Sequence, residues 1–355
     1  MTRSPDHPIR KKLLTWFRKE KRQLPWRGTR DPYRIWVSEV MLQQTTVAAV
    51  RGRFERFLAR FPDLPALARA RENSVLAAWS GLGYYSRARN LHRAARLILR
   101  EHDGRIPCDP ALLRRLPGFG DYTSAAVACL AFGSRDPAAD ANVTRVLSRL
   151  FAIRGMAGRK KHRTAVEGQA RSLLSSGPPE RLIAALMDLG QLICLPGRPL
   201  CDVCPLAQDC AARRRGSPEN YPRRAKKPRP VELFLAAACV RLNGRVLLTP
   251  RHSSFLGGLW ELPCADGKSP VAARRRLAKR LRPLGLELDG RAPGKARHTV
   301  VNRRLSIEVF PAFPNSRFAI PNSQLPHARW FTRRALDRAA IPTLTRKVAR
   351  AAGFL

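Results

Sequence analysis

Between Pro8 and about Arg213, apolar residues recur at the spacing of buried helix faces. In VSEVMLQQTTVAAVRGRFERFLARF, Val40, Val47, Val50, Phe54, Phe57 and Phe61 fall at three-to-four-residue steps. NLHRAARLILR and ERLIAALMDLGQLI repeat the habit. Helix punctuation marks segment ends: Asp63 and Pro65 follow Phe61, and Gly177-Pro178-Pro179 precede Glu180. One stretch resists, RRLPGFGDYTSAA from Arg114 to Ala126. A proline and a glycine inside a helix cost about 3 and 1 kcal/mol relative to alanine, so this interruption needs a compensating role.

The period changes after RRRGSPENYPRRAKKPRP, which is rich in proline and cations and reads as an exposed linker. VELFLAAACVRLNGRVLLTP is two apolar runs joined by Asn243-Gly244, a hairpin turn pair. RRLSIEVFPAF and HARWFT read as further strands, and SPVAARRRLAKRL as a helix. The predicted chain is therefore multidomain: an all-α domain over 1–212, a basic linker over 213–230, and a small α+β domain over 231–355.

Composition sharpens this picture. The 355 residues are 44% hydrophobic, enough for ordinary cores, and 23 Gly with 29 Pro are too few for a disordered chain. No apolar run approaches the roughly 18 residues of a membrane span. The start, MTRSPDHPIRKKLLTWF, lacks a secretory pattern, so a cytoplasmic protein is expected. Lys+Arg total 67 against 26 Asp+Glu, a net charge of +41. Arginine dominates, as compositional drift in GC-rich genomes also produces, yet such a chain holds phosphate polyanions by counterion release. A nucleic-acid partner is expected.

Four of the eight cysteines lie in CLPGRPLCDVCPLAQDC: Cys194, Cys201, Cys204 and Cys210. An intracellular chain disfavours disulfides, and all-thiolate ligation suits zinc or an iron–sulfur cluster. The asymmetric spacing, with one C-x2-C and no nearby histidine, favours [4Fe-4S]. Such a saturated cluster would fix the loop and present Arg198, Arg213, Arg214 and Arg215 rather than perform chemistry. Cys108, Cys129, Cys239 and Cys264 are scattered and read as buried small hydrophobes.

The cysteine spacing resembles the cluster loop of the endonuclease III superfamily of DNA glycosylases. LPGFG resembles that superfamily's helix-hairpin-helix, in which Gly118 and Gly120 would let backbone N–H groups approach a phosphate. Asp140, in AADANVTRVL, matches the acidic residue that follows. Members that also cut the backbone carry a lysine two residues after the second hairpin glycine. Tyr122 stands there and cannot form a Schiff base, so base removal without efficient strand cleavage is expected.

LPWRGTRDPYRIWVSEVMLQQTTV and GLGYYSRARNLHRAA are similar to the adenine DNA glycosylase family, closely over about Leu24 to Cys210. The resemblance implies Glu39 as the catalytic acid that protonates adenine N7, in an apolar pocket that raises its pKa. It implies Asp140 as the carboxylate balancing the cationic sugar, with an N-cap as its structural alternative, and Asn142 and Tyr122 as supporting polar groups. Leu24, Trp26 and Arg27 match the adenine pocket, and Gln44 and Tyr84 the residues that wedge where the base leaves. Trp16, Trp36 and Trp79 read as packing aromatics. Double-stranded DNA containing mispaired adenine is the implied partner, a [4Fe-4S] cluster the cofactor, and a monomer the default state.

Two departures stand out. Ile183-Ala184-Ala185 replaces a family Asn-Gln/Glu-Ala, so Ala184 offers no side-chain hydrogen bond to the adenine edge. FLGGLWELPCADGKSPVAARRRLAKRLRPLG resembles a Nudix domain, yet Arg276, Lys279 and Arg280 stand where metal-binding carboxylates are needed, which argues against pyrophosphatase activity. As in the family, this domain would read the base opposite adenine, normally 8-oxoguanine. Its Phe-Ser-His motif is replaced by Val300, Val301 and Asn302, of which Asn302 alone offers a polar side chain. A related glycosylase with another lesion range, and a non-catalytic iron–sulfur DNA sensor, are the competing readings.

Overall fold

The computed structural model describes residues 8–223, 229–250, 259–291, 293–300, 302–314 and 328–355. The chain divides into two compact units, one of residues 1–69 with 90–226 and one of 70–89 with 227–355. The helices are α1 (Pro8–Glu20), α2 (Pro32–Leu42), α3 (Val47–Arg60), α4 (Leu64–Arg69), α5 (Glu72–Ala78), α6 (Ser86–Glu101), α7 (Pro110–Arg114), α8 (Asp121–Phe132), α9 (Ala141–Leu150), α10 (Lys160–Leu174), α11 (Pro179–Leu192) and α12 (Ala211–Arg214). The cut after Arg89 falls inside α6.

The periodic stretch from Val40 to Phe61 is two helices rather than one. The chain breaks after Leu42, where Gln44 takes a left-handed φ of 53°, and Thr46 caps α3 by accepting from Ala49 N–H. Periodicity is blind to such a break because both helices bury the same stripe. Val50, Phe54 and Phe57 are buried, with Phe61 as the C-cap. The main core of this unit joins α8, α9, α10 and α11 through residues such as Ala126, Val143, Leu147, Leu173, Leu182 and Leu186. Trp36 and Trp79 are buried as expected, and Trp16 is half-buried against this core. Cys129, Cys239 and Cys264 are buried, but Cys108 is exposed, against expectation. It lies in the turn before α7, outside any apolar stripe.

The basic stretch after Arg213 is only partly a free linker. The Arg149 guanidinium donates to Tyr221 O, and Arg223 bridges Met156, so 213–223 lies against the helical unit.

The second unit holds a mixed sheet, eight strands among the described residues: β1 (Val231–Leu242), β2 (Arg245–Pro250), β3 (Trp260–Glu261), β4 (Cys264–Gly267), β5 (Leu286–Leu288), β6 (Gly294–Val300), β7 (Arg303–Pro314) and β8 (Arg329–Thr332). It also holds α13 (Pro270–Leu281), α14 (Arg333–Arg338) and α15 (Thr343–Ala351). β1 runs parallel to β7 from the Val231–Arg303 pair to the Val240–Ala312 pair, and the other pairings are antiparallel. β1 is buried on both faces. Leu235, Ala237 and Cys239 pack toward α14 and α15, and Ala236, Ala238 and Val240 toward α13. The Asn243-Gly244 hairpin forms, both residues with positive φ, joining Leu242 to Arg245. Among the described residues no helix is long and apolar enough to cross a membrane.

Candidate active site

Asp31 caps α2 by accepting from Tyr33 N–H at 2.9 Å, with Pro32 at the first helical position. The helix then buries Tyr33 and every residue from Ile35 to Met41, Glu39 included. Its contacts with the broken helix have a common register. Trp36 stacks on Phe119, ring centroids 5.1 Å apart and planes 25° apart. One turn on, Glu39 Oε2 accepts from the Tyr122 hydroxyl at 2.6 Å. One turn further, Gln43 Nε2 donates to Thr123 Oγ1 at 3.0 Å. Phe119 and Tyr122, like Trp36 and Glu39, are three apart, so two matching helical ridges dock the hairpin on the Glu39 helix.

The hairpin itself depends on Gly118. Its φ is +82°, and a Cβ there would lie 2.8 Å from Asn90 Cβ. Gly120 has open space around it and heads α8 without a side-chain cap. Neither N–H has an acceptor among the described residues.

Asp140 heads α9. One carboxylate oxygen accepts from Val143 N–H at 2.7 Å, the N-cap expected of it, and the other from Asn142 Nδ2 at 2.7 Å. Asn142 Oδ1 in turn accepts from Arg145 Nη2 at 2.9 Å, and Arg145 also donates to Cys194 O at 2.7 Å. Gly190 of α11 permits this approach, since a Cβ on it would stand 2.7 Å from Asn142 Cβ. Burial pushes both carboxyl groups upward. At Glu39, Asp140 adds to that rise, while the Tyr122 hydrogen bond and the Arg27 charge oppose it. At Asp140, the Val143 and Asn142 hydrogen bonds and Arg145 pull the other way. Glu39 has one hydrogen bond that favours its charged form, from Tyr122, whereas Asp140 has bonds from Val143 and Asn142. Burial and the Glu39 charge drive the Tyr122 phenol well above its usual range, so it stays a neutral donor.

Glu39 stands in a wall shared by two cavities. One, of about 450 Å³, is lined by Leu24, Trp26, Arg27, Ile35, Leu130 and Ala184. The other, of about 1010 Å³, is lined by Gln44, Gly118, Gly120, Tyr122, Asp140 and Asn142, and shares Arg22, Trp26, Arg27 and Glu39 with the first. Of the residues expected to meet the base, Leu24 lines the smaller cavity alone and Trp26 and Arg27 line both, while Gly118, Gly120, Tyr122, Asp140 and Asn142 line the larger alone. Gln44 and Tyr84 are exposed, with φ of 53° and 46°. That conformation is uncommon outside glycine and clusters at functional sites. Arg87 supports the Tyr84 ring, its guanidinium 5.5 Å from the centroid.

Periodicity and motif matching missed Asp188, whose side chain is 1% exposed and pairs with Arg22 at 2.8 Å and Arg27 at 3.2 Å. A lone aspartate inside LIAALMDLG was the available clue, because a carboxylate in a buried run requires partners.

Two of the four cysteines, Cys194 and Cys210, contact Arg149. Its Nη1 donates to Cys194 Sγ at 3.3 Å, and Cys210 Sγ donates to its carbonyl at 3.4 Å. Cys194, Cys204 and Cys210 pack against the helical core. Burial pushes the Cys204 thiol up to about 11 and raises Cys194 and Cys201, while Arg149 works in the opposite sense at Cys194. Among the described residues no three His, Cys, Asp or Glu side chains are disposed to hold a single metal ion.

In the second unit, Ser269 caps α13, and Gly267 allows β4 to touch it, since a Cβ there would lie 2.4 Å from Ala273 N. Arg276 donates to Asp266 O at 3.1 Å and Arg280 to Cys264 O at 2.8 Å, so these cations latch α13 to β4. Val300 pairs with Arg303 at the β6–β7 end, and Asn302 O accepts from Val231 N–H at 2.7 Å. Val301 lies outside the described residues.

Comparison with known proteins decides the family. Residues 37–171 match the HhH-GPD superfamily of base excision DNA repair proteins, and residues 236–351 match the NUDIX domain. The human adenine DNA glycosylase is 33% identical over 402 residues, spanning 96% of this chain and 73% of the relative. The chain belongs to the adenine DNA glycosylase family. The Mycobacterium tuberculosis adenine DNA glycosylase is 40% identical over 230 residues, covering 62% of this chain and 74% of that one. A thermostable thymine-DNA glycosylase structure, 29% identical, superposes with a TM-score of 0.53 over 59% of this chain and 96% of its own. The helical unit thus has the helix-hairpin-helix glycosylase fold. In the Nudix-like unit of this family member, Arg276 and Arg280 of α13 are engaged by carbonyls of β4.

Proposed function

We propose that this protein is a monofunctional glycosylase of base excision repair that hydrolyses the N-glycosidic bond of adenine mispaired with 8-oxoguanine in double-stranded DNA. The observation that supports this most directly is the buried Glu39 carboxyl, hydrogen-bonded by Tyr122 at 2.6 Å in a wall between two cavities, with Asp140 lining the larger one. Glu39 gives its proton to adenine N7. The N9–C1′ bond then breaks with its electrons leaving on the base, and the Asp140 carboxylate balances the cationic sugar. Water adds to C1′ and passes a proton to the Glu39 carboxylate, which restores the acid. Leu24, Trp26 and Arg27 hold the base, Asn142 steadies Asp140, and Gln44 and Tyr84 fill the vacated stack. Tyr122 has no amine to form a Schiff base, so the strand stays intact.

Cys194, Cys201, Cys204 and Cys210 would hold a [4Fe-4S] cluster. The donor set supports this reading: four cysteines in one loop offer all-thiolate ligation, and the Arg149 charge beside Cys194 favours its thiolate. The cluster supplies a rigid cross-link when bound. Arg198, Arg213, Arg214 and Arg215 then face DNA phosphates, as do Gly118 and Gly120. In this division of labour residues 1–212 act on adenine and 231–355 read the opposite base, in a monomer joined by the 213–230 segment. Val300, Val301 and Asn302 form the reading loop, where Asn302 replaces a hydroxyl contact.

Ala184, apolar in the wall of the smaller cavity, favours a second reading in which the range of bases is wider. Single-turnover base release from duplexes with adenine opposite 8-oxoguanine and opposite guanine, resolved with and without alkali, tests the proposal. Alkali-dependent product, faster opposite 8-oxoguanine, is expected. Equal rates would remove the opposite-base assignment, and no release would remove the glycosylase itself.

A further inference from the structure

We infer that Asp188 is a positioning residue for base release: it clasps Arg22 and Arg27 in the wall shared by the two cavities and, through Arg27, tunes the proton donor Glu39. The inference rests on the proposed role of Glu39. Residues Leu182 to Gly190 of α11 are all buried, and Asp188 is the ionisable side chain among them. Its carboxylate accepts from Arg22 N–H at 3.3 Å, Arg22 Nε at 3.1 Å, Arg22 Nη2 at 2.8 Å and Arg27 Nη2 at 3.2 Å. Arg22 also donates to Gln191 Oε1 at 2.6 Å, so both arginines are tied to one face of α11. A buried carboxylate is tolerated only with such partners. The two guanidinium groups line both cavities, and Arg27 Nε is buried with no acceptor.

One carboxylate cannot neutralise two guanidinium groups, so Asp188 leaves a measured surplus of positive charge beside Glu39. Three groups act on Glu39: Tyr122 of α8, Arg27 from the segment before α2, and Asp140 at the head of α9. Arg27 favours the carboxylate form, and Asp188 is the counter-charge that holds this effect in check. Neutralising Asp188 strengthens the field of Arg27, so Glu39 loses its proton at lower pH.

The test is the pH profile of single-turnover adenine release from the full-length, cluster-loaded protein. Release requires protonated Glu39, so the rate falls as pH rises through its pKa. Asp188→Asn keeps the shape and removes the charge. It should move this alkaline limb down by about one pH unit, which is about tenfold in rate on the falling limb. In an Arg27→Met background the same substitution should produce a smaller displacement, because Arg22 alone is left without its counter-charge. Arg27→Met alone should move the limb upward, and this arm stands even if Asp188→Asn fails to fold. An unmoved limb in either single variant, or equal displacement by Asp188→Asn in both backgrounds, overturns the inference. Absence of release by the unaltered protein at every pH would instead overturn the Glu39 reading beneath it.

Discussion

Tyr122→Phe isolates the contact on which the chemistry turns. The substitution keeps the ring and deletes the hydroxyl that lies 2.6 Å from Glu39 Oε2. A neutral carboxyl accepts that bond weakly and a carboxylate strongly, so under the proposed role the bond gains strength as Glu39 hands its proton to the base. Hydrogen bonds to charged groups contribute about 1.5–3 kcal/mol. If that gain is realised in the transition state, its loss slows release about 10- to 150-fold, at 1.36 kcal/mol per decade. The same deletion removes a group that lowers the Glu39 pKa. Glu39 then keeps its proton to higher pH, and the alkaline limb moves upward while the plateau falls. Single-turnover release across the neutral range, with DNA affinity measured in parallel, reads both effects. A plateau within about twofold of the original and an unmoved limb would show that Tyr122 is merely a neighbour, and the acid assignment would lose its geometric support.

Other perturbations separate fold from function. Gly118→Ala forces a side chain into φ +82° against Asn90 and should cost about 1–3 kcal/mol, read as a lowered Tm. Gly120→Ala meets open space at φ −83°, so stability should hold within about 0.5 kcal/mol while DNA affinity falls; a normal affinity would remove Gly120 from the phosphate contact. Cys204→Ser should abolish the cluster's visible absorption and expose the 194–210 loop to limited proteolysis. Because burial holds the Cys204 thiol near 11, loading the cluster at neutral pH should release protons, which a weakly buffered titration detects. Asn302→Ala should change the ratio of release rates opposite 8-oxoguanine and opposite guanine, and an unchanged ratio would take Asn302 out of the reading loop.

Much of this molecule was legible in the sequence because its chemistry is punctuated by unusual residues. LPGFG and Asn243-Gly244 each break a pattern, and each break corresponds to positive φ, at Gly118 and at Asn243-Gly244, that those residue types adopt cheaply. Asp140 was legible twice over, as a matched acid and as an N-cap. What stayed hidden was pairing at long range. Periodicity gives the same stripe to α2 and α3 and cannot register the turn at Gln44. Trp36 reads as a packing aromatic and Phe119 as a residue between two glycines, and nothing local says that they stack on one another. Asp188 and Arg22 are separated by 166 positions, and their bond exists only because α11 lies beside the LPWR segment. The cations of α13 showed what the helix cannot bind, and the structure added what they do bind, two carbonyls of β4.

The matched ridges of α2 and the hairpin explain why a proline and two glycines are kept in a costly place. A hairpin of phosphate-facing N–H groups needs a rigid mount, or the phosphate would be held at no defined distance from the bond to be broken. Phe119 provides the mount by stacking on Trp36, and the next turn carries Tyr122 to Glu39. On the proposed reading, the DNA grip and the proton donor are therefore three residues apart on each side, a rise of about 4.5 Å along α2. Displacing the hairpin by a residue would carry Phe119 off Trp36 and Tyr122 off Glu39 together. The broken helix is thus the ruler that sets backbone against base, and its local cost is met by the contacts that make the ruler stiff.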